Sequence, residues 1–277
     1  MTALVLIVGL LFLGSTWAAL LTYSLFWYEN AWRAGLDPYR GRKLKSMVFW
    51  GVLSSISSLV FITASSPLGL IRRLWEPKEI DATGPVIILV HGLYHNPSAW
   101  LIFRSRLRRA GLGNIFFMGY RSFFTSFEKI MEEFDKFVGE VRQKVAERPL
   151  YLVGHSLGGL LCRVYAERAG DGAVPAAVIT LGSPHQGSKV AAFYGGKLAS
   201  SLLYRGPLFT GLESGPARLR CAGIAFFSPV DNMVLPFEAL KVPYEGWAYH
   251  ETVPMSHTSM VYSRSVARRV IEVIKGC

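Results

Sequence analysis

The run Pro149-Leu-Tyr-Leu-Val153 passes without a break into Gly154-His-Ser-Leu-Gly158, and residues Leu157 to Arg168 continue with helical spacing. A strand that becomes a helix through Gly-x-Ser-x-Gly restricts the fold severely. The turn is too tight for side chains at Gly154 and Gly158, and it pushes Ser156 out above the strand end. The helix behind the turn aims unpaired backbone N–H groups at the same spot.

The neighbouring segments supply a sheet for that strand. Pro85 to Val90 is a short, wholly apolar, β-branched run that suits a buried parallel strand. Ser98 to Arg109 has helical spacing, with Ser98 as candidate cap, and Asn114 to Gly119 reads as a strand. Ser126 to Glu147 repeats apolar residues at three and four, as an amphipathic helix does. Strands follow over Ala176–Leu181 and Arg220–Phe227, with a closing helix over Ser263–Lys275. Alternation of this kind predicts an α/β fold, a mostly parallel sheet with helices on both faces.

A serine above a strand end needs a base, and the base needs a carboxylate. The chain order expected after this elbow is serine, acid, histidine. Three histidines follow Ser156: His185, His250 and His257. His185 comes too early to follow an acid, and His257 lies in a loop just before the last helix, so His257 is the candidate base and His250 its rival. Asp231, in the loop after Arg220–Phe227, is the candidate acid, with Glu238 and Glu245 weaker. His91-Gly92-Leu93 closes the first strand of this region. The backbone N–H groups of Leu93 and Leu157 are therefore candidate oxyanion-hole donors. His91 reads as structural, and Tyr94 and His95 as cleft lining. Lys189 to Leu219 carries Val190, Tyr194, Leu198 and Leu202 every four residues. It reads equally as a helix packed on the core or as a cap over Ser156.

The N-terminal part is of a different kind. Met1 to Tyr28 holds no Lys, Arg, Asp or Glu, and a second uncharged run covers Met47 to Ile71. Each exceeds the roughly 20 residues that cross a bilayer. No basic residue precedes the first run, so a retained span fits better than a signal peptide. The serines of the second run suit helix-on-helix packing. The expected arrangement is a transmembrane hairpin over 1–71, a linker over 72–84 and an α/β unit over 85–277. Between the runs stand five basic residues, Arg33, Arg40, Arg42, Lys43 and Lys45. They would keep that loop in the cytoplasm and place the rest outside, which in a double-membrane bacterium is the periplasm.

The chain carries 30 Lys+Arg against 19 Asp+Glu. No nucleic-acid recognition motif accompanies this excess, which leaves a solvated basic surface beside a membrane as its role. Three cysteines at no ligand spacing give neither a disulfide framework nor a zinc site. No metal or organic cofactor is expected.

Taken together, Val86–Gly92, Gly154–Gly159, Leu181–Ser188, Pro229–Pro236 and Ser256–Ser263 resemble the α/β-hydrolase superfamily. More narrowly they are similar to small bacterial lipases and esterases and to the lipase-like group that includes the GPI-inositol deacylase type. The resemblance covers about Pro85 to the C-terminus. It implies Ser156 as nucleophile, Asp231 as acid and His257 as base, acting on carboxylic esters, with lipid-like ones favoured by the apolar N-terminus. Thioesterases and acyltransferases use the same trio, and an idle fold serving as a membrane-bound binding protein is the rival from another class. The usual eight-stranded sheet would be shortened at its start, since no strand is evident between Ile71 and Thr83.

Overall fold

A computed structural model describes residues 2–30, 34–39, 41–77, 79–145, 148–213 and 219–276. Its centre is one parallel sheet of six strands in the order β2-β1-β3-β4-β5-β6. The strands are β1 (Val86–Val90), β2 (Ile115–Met118), β3 (Leu150–His155), β4 (Ala177–Leu181), β5 (Ala222–Phe227) and β6 (Trp247–Glu251). The helices are α1 (Thr2–Asn30), α2 (Arg42–Ser65), α3 (Leu101–Arg109), α4 (Phe127–Val145), α5 (Leu157–Arg168), α6 (Lys197–Ser201), α7 (Pro207–Glu213) and α8 (Arg264–Lys275).

The period of two in a strand sorts the core into two layers. In β1, Val86, Ile88 and Val90 face the layer built with α4 and α5. Ile87 and Leu89 face the opposite layer, with α3 and α8. Helices on both sides leave all five β1 residues fully buried, which is why β1 reads as a continuous apolar run.

Most expected elements lie where the pattern puts them, with shifted ends. The helix expected from Ser98 starts as a 3-10 turn, Pro97–Trp100, before α3. Its cap is Asn96, not Ser98: Asn96 Oδ1 accepts the Ser98 N–H at 2.9 Å. Pro97, which has no N–H to satisfy, takes the first position instead. The edge strand β6 was not located by pattern, because its sequence Trp-Ala-Tyr-His-Glu is half polar. The segment from Lys189 forms no single helix. It breaks into a 3-10 turn (Lys189–Phe193), α6 and α7, separated by Gly195-Gly196 and Gly206-Pro207. Val190, Leu198 and Leu202 are buried, so the expected stripe packs on the core. The far end of that segment, 214–218, lies outside the described residues.

α1 and α2 are long and apolar enough to cross a membrane by length and composition. They are not isolated from the α/β unit. Tyr23, Phe26, Leu36, Leu44 and Met47 share one buried cluster with Phe227, Val230 and Phe237. The packing therefore crosses the boundary expected at residues 72–84.

One buried ion pair braces α5. Arg163 Nε meets Glu167 Oε1 at 2.6 Å, both side chains being almost wholly inaccessible. Arg163 also donates to the His185 carbonyl at 2.9 Å and lies over the Tyr244 ring, and Tyr244 OH donates to Glu167. Desolvation raises the Glu167 carboxyl, and Arg163 offsets this. Arg163→Met should therefore lower stability by about 3–5 kcal/mol, because it strands a buried carboxylate. The double variant with Glu167→Met should recover most of that loss in thermal unfolding. Equal losses in the two would mean that the pair is not what matters.

Candidate active site

β3 ends at His155, α5 begins at Leu157, and Ser156 stands between them at φ 54°, ψ −125°. A non-glycine residue at such a φ costs about 1–3 kcal/mol and persists only where its surroundings hold it. Here the surroundings are backbone. A Cβ on Gly158 would lie 2.2 Å from the Val90 carbonyl oxygen, and one on Gly154 would lie 2.3 Å from the Gly158 carbonyl. Both elbow glycines thus occupy close approaches that no side chain fits. The Ser156 N–H is tied across the sheet to the Leu181 carbonyl at 2.9 Å.

Asp231 follows β5 and His257 follows β6. His257 Nδ1 meets Asp231 Oδ2 at 2.8 Å, with both side chains buried. The other carboxylate oxygen, Oδ1, accepts the N–H groups of Met233 at 2.9 Å and Val234 at 3.0 Å. Donors on both oxygens keep this carboxylate aimed. With Nδ1–H directed at Asp231, the Nε2 of a neutral His257 carries the lone pair. His257 and Ser156 line one pocket of about 190 Å³, together with Gly92 and Leu93.

Several residues that sequence reasoning did not single out hold this pair. Asn232 Oδ1 accepts the His257 N–H at 3.1 Å. Ser228 Oγ donates to the Met255 carbonyl at 2.6 Å, sewing the acid loop to the base loop. The ring Nε2 of His155 meets the His257 carbonyl at 3.1 Å. Gly182 follows β4 at φ +57°, and a Cβ there would stand 3.0 Å from Asp231 Oδ2 and 3.1 Å from His257 Nδ1. Adjacency to Asp231 was the one available signal for Asn232; nothing marked Gly182 except its place in Leu-Gly-Ser-Pro.

The rivals lie elsewhere. His250 sits within β6, stacked on Phe226 at 5.1 Å between ring centres. His185 is buried against Thr180 Oγ1 at 3.1 Å, and burial beside Arg163 pushes its ring well below the usual histidine value. Glu238 falls in a 3-10 turn and Glu245 before β6, and neither lines the Ser156 pocket. Tyr94 and His95 line the pocket, as expected.

His91 is structural. Its Nε2 accepts the Tyr120 N–H at 3.3 Å, its Nδ1 meets the Gly92 carbonyl at 2.9 Å, and its ring stacks on Tyr120. These contacts fix the chain where it turns into Leu93. The Tyr94 N–H is taken by Ser122 Oγ at 2.8 Å, and Leu93 lines the pocket. Leu157 is the first residue of α5, where the backbone N–H has no partner within the helix. Among the described residues, no group of three or more His, Cys, Asp or Glu could hold a metal ion.

A sequence profile of the alpha/beta hydrolase family matches residues 87–269. The chain belongs to that family. This alpha/beta hydrolase is similar in fold to the mature lipase BlEst2 of Bacillus licheniformis, at 18% identity, TM-score 0.59, over 72% of this chain and 95% of that one. It is similar also to Aspergillus fumigatus lipase B, at 12% identity, TM-score 0.60, over 73% and 55%. The thioesterase domain from the curacin biosynthetic pathway aligns at 13% identity, TM-score 0.50, over 71% and 93%. No curated protein matches the chain.

Two outcomes test this geometry. Gly182→Ala should cut hydrolase activity at least tenfold and lower the melting temperature by a few degrees, because the added methyl presses on the Asp231–His257 contact and alanine is strained at this φ. A fall in melting temperature without a fall in kcat would show that the contact tolerates it. Burial holds His91 near a pKa of about 4, below its unfolded value. The unfolded chain then binds a proton that the folded chain refuses between about pH 6.5 and 4. Stability should fall by about 3 kcal/mol as pH drops through that window. Urea midpoints at pH 7 and pH 4.5 should differ less in His91→Asn.

Proposed function

We propose that this alpha/beta hydrolase is a membrane-associated serine esterase acting on lipid-like carboxylic esters. The observation that carries the reading is the 2.8 Å Asp231–His257 pair opening onto the same pocket as Ser156, itself held at positive φ on the elbow.

The steps follow from the placement of each group. Ser156 Oγ attacks the ester carbonyl carbon, and His257 Nε2 takes its proton. Asp231 holds the imidazole in the Nδ1–H form and stabilises the imidazolium. The N–H groups of Leu93 and Leu157 receive the tetrahedral oxyanion, a contribution of about 3 kcal/mol for each such donor. His257 then protonates the departing alcohol. Water, activated by the same imidazole, releases the acid from Ser156.

The lipid part of the reading is supported by the pocket wall and the N-terminus. Leu59, Ala191, Leu202, Met233 and Val234 make that wall largely apolar, which suits an acyl chain. Two helices long and apolar enough for a membrane precede the fold.

A fluorophosphonate probe should label the wild-type chain and leave Ser156→Ala unlabelled; an unlabelled wild type would favour the idle binding fold. Ser156→Ala, His257→Ala and Asp231→Asn should each lower kcat by orders of magnitude, and their combination little further, since the three act as a unit. His250→Ala should retain activity. Hydrolysis of a p-nitrophenyl ester series should rise with acyl length and with added lipid or detergent interface. A preference for acetyl esters with no interfacial response would leave a plain esterase.

A further inference from the structure

Helix length and hydropathy alone would send α1 and α2 across a bilayer as an antiparallel pair, with residues 29–46 on the side away from Ser156. The contacts of the two helices run against that separation. At the turn of the hairpin, Glu29 pairs with Lys189 at 2.8 Å and Asn30 Oδ1 accepts the Phe237 N–H at 2.9 Å. Tyr39 OH donates to the Glu251 carboxylate, and Leu36 is wholly buried in a cluster with Phe237 and Leu240. At the opposite end of α2, the Ser66 carbonyl accepts from Asn96 Nδ2 at 3.0 Å. Midway, Ser54 Oγ accepts the Ser256 N–H at 2.8 Å, and the Ser54 carbonyl accepts from Ser259 Oγ at 2.8 Å.

These partners lie at or after the carboxyl ends of strands: Asn96 after β1, Lys189 after β4, Phe237 after β5, Glu251 at the end of β6 and Ser256 after it. α2 therefore lies along the catalytic edge of the sheet and touches it at both ends and in the middle. A helix of 24 residues is about 36 Å long. If it crossed about 30 Å of hydrocarbon, its ends would stand in different aqueous phases. One α/β unit cannot touch both.

We propose that the hairpin does not cross the bilayer but lies in the plane of one leaflet, as a strap over the catalytic edge, and that this edge docks on the lipid surface. The inference deepens the lipid-ester reading above and rests on it for what enters the pocket.

The exposed surface names the occupant. Of the 26 large apolar side chains that are exposed among the described residues, 15 lie on α1 and α2. They include Trp17, Phe49 and Trp50, the aromatic type favoured at a headgroup boundary. Exposed Arg42 and Lys43 stand at one end of α2, and exposed Arg72 and Arg73 just beyond the other. Basic residues at both ends of an in-plane apolar helix suit the anionic headgroups of one leaflet. The far rim of the pocket adds a second apolar patch. Phe123 and Phe124 are exposed in the loop after β2, and Phe193 is exposed after β4. Tyr94, which lines the pocket, stacks on Phe123 at 4.8 Å. Leu59 of α2 forms the near wall of the same pocket. An acyl chain would then slide from the leaflet past Leu59 to Ser156 without passing through water.

The test uses the full chain in sealed membrane vesicles, with Cys221 and Cys277 replaced by serine. Asp37→Cys, in the hairpin turn, and Arg269→Cys, on α8, are labelled separately with a membrane-impermeant maleimide. Both should react from the same face. A zero-length carbodiimide added to the untouched wild type should join Glu29 to Lys189, read as a linked peptide pair by mass spectrometry. Labelling of positions 37 and 269 from opposite faces, or a membrane-bound chain that yields no Glu29–Lys189 link, would overturn the proposal. So would recovery of the chain as a soluble oligomer with its helices buried in one another. Neither readout requires turnover. A chain that labels from one face but hydrolyses no ester would sink the lipid-ester reading and leave the strap in place.

Discussion

The hydrogen bond between His257 and Asp231 joins two loops, each of which follows a different strand near one edge of the sheet. A loop-borne contact of 2.8 Å survives only if both loops are fixed more firmly than loops usually are. Ser228 sews them together through Met255, and Asn232 holds the backbone of His257 while donating from its Nδ2 to Thr22 Oγ1 of α1 at 2.7 Å. Tyr23 OH donates to the Val230 carbonyl at 3.0 Å, one residue before the acid. The geometry of the site is thus over-determined from three directions: the sheet, the paired loops and the N-terminal helices.

That dependence explains what could be read from the sequence and what could not. β1 and β3 were legible because burial on both faces leaves a strand no choice but apolar residues. The elbow was legible because a turn that excludes two side chains writes two glycines into the chain at fixed spacing. The pairing of Asp231 with His257 was legible through chain order together with their places in the loop after Arg220–Phe227 and the loop before the last helix. β6 escaped notice because an edge strand keeps one side wet, and Trp-Ala-Tyr-His-Glu carries neither a clean alternation nor an apolar run. The role of Thr22, Tyr23 and Ser54 left no mark. Each sits in a run whose hydropathy matches a bilayer span, and a hydroxyl that binds a loop some 200 residues away looks the same as one that binds its own helix.

Helix hydropathy measures what a surface prefers to leave, not where it goes. α1 and α2 have the composition of spans, yet one side of each carries buried polar contacts to the α/β unit while the other presents apolar side chains to the outside. The cap segment offers the same lesson at smaller scale. Three of the four residues of its repeat, Val190, Leu198 and Leu202, are buried, but Gly195-Gly196 and Gly206-Pro207 cut it into pieces, so the period outlived the helix that it seemed to announce.

The tie between Tyr23 and Val230 has a bearing on how the protein comes to be made. Its two partners are separated by 207 positions, and the bonds from Asn30 and Thr22 span similar distances. α1 is therefore synthesised about 200 residues ahead of the loops that it holds, and closures of such sequence separation are slow. In the interval the faces of α1 and α2 that will pack on those loops are exposed as well, and uncovered apolar surface of this kind favours aggregation. By the same reasoning, trimming the chain at residue 72 for the sake of solubility would not release an intact α/β unit: it would strip the inner lining from the loops that carry Asp231 and His257 and leave Phe227, Val230 and Phe237 facing water.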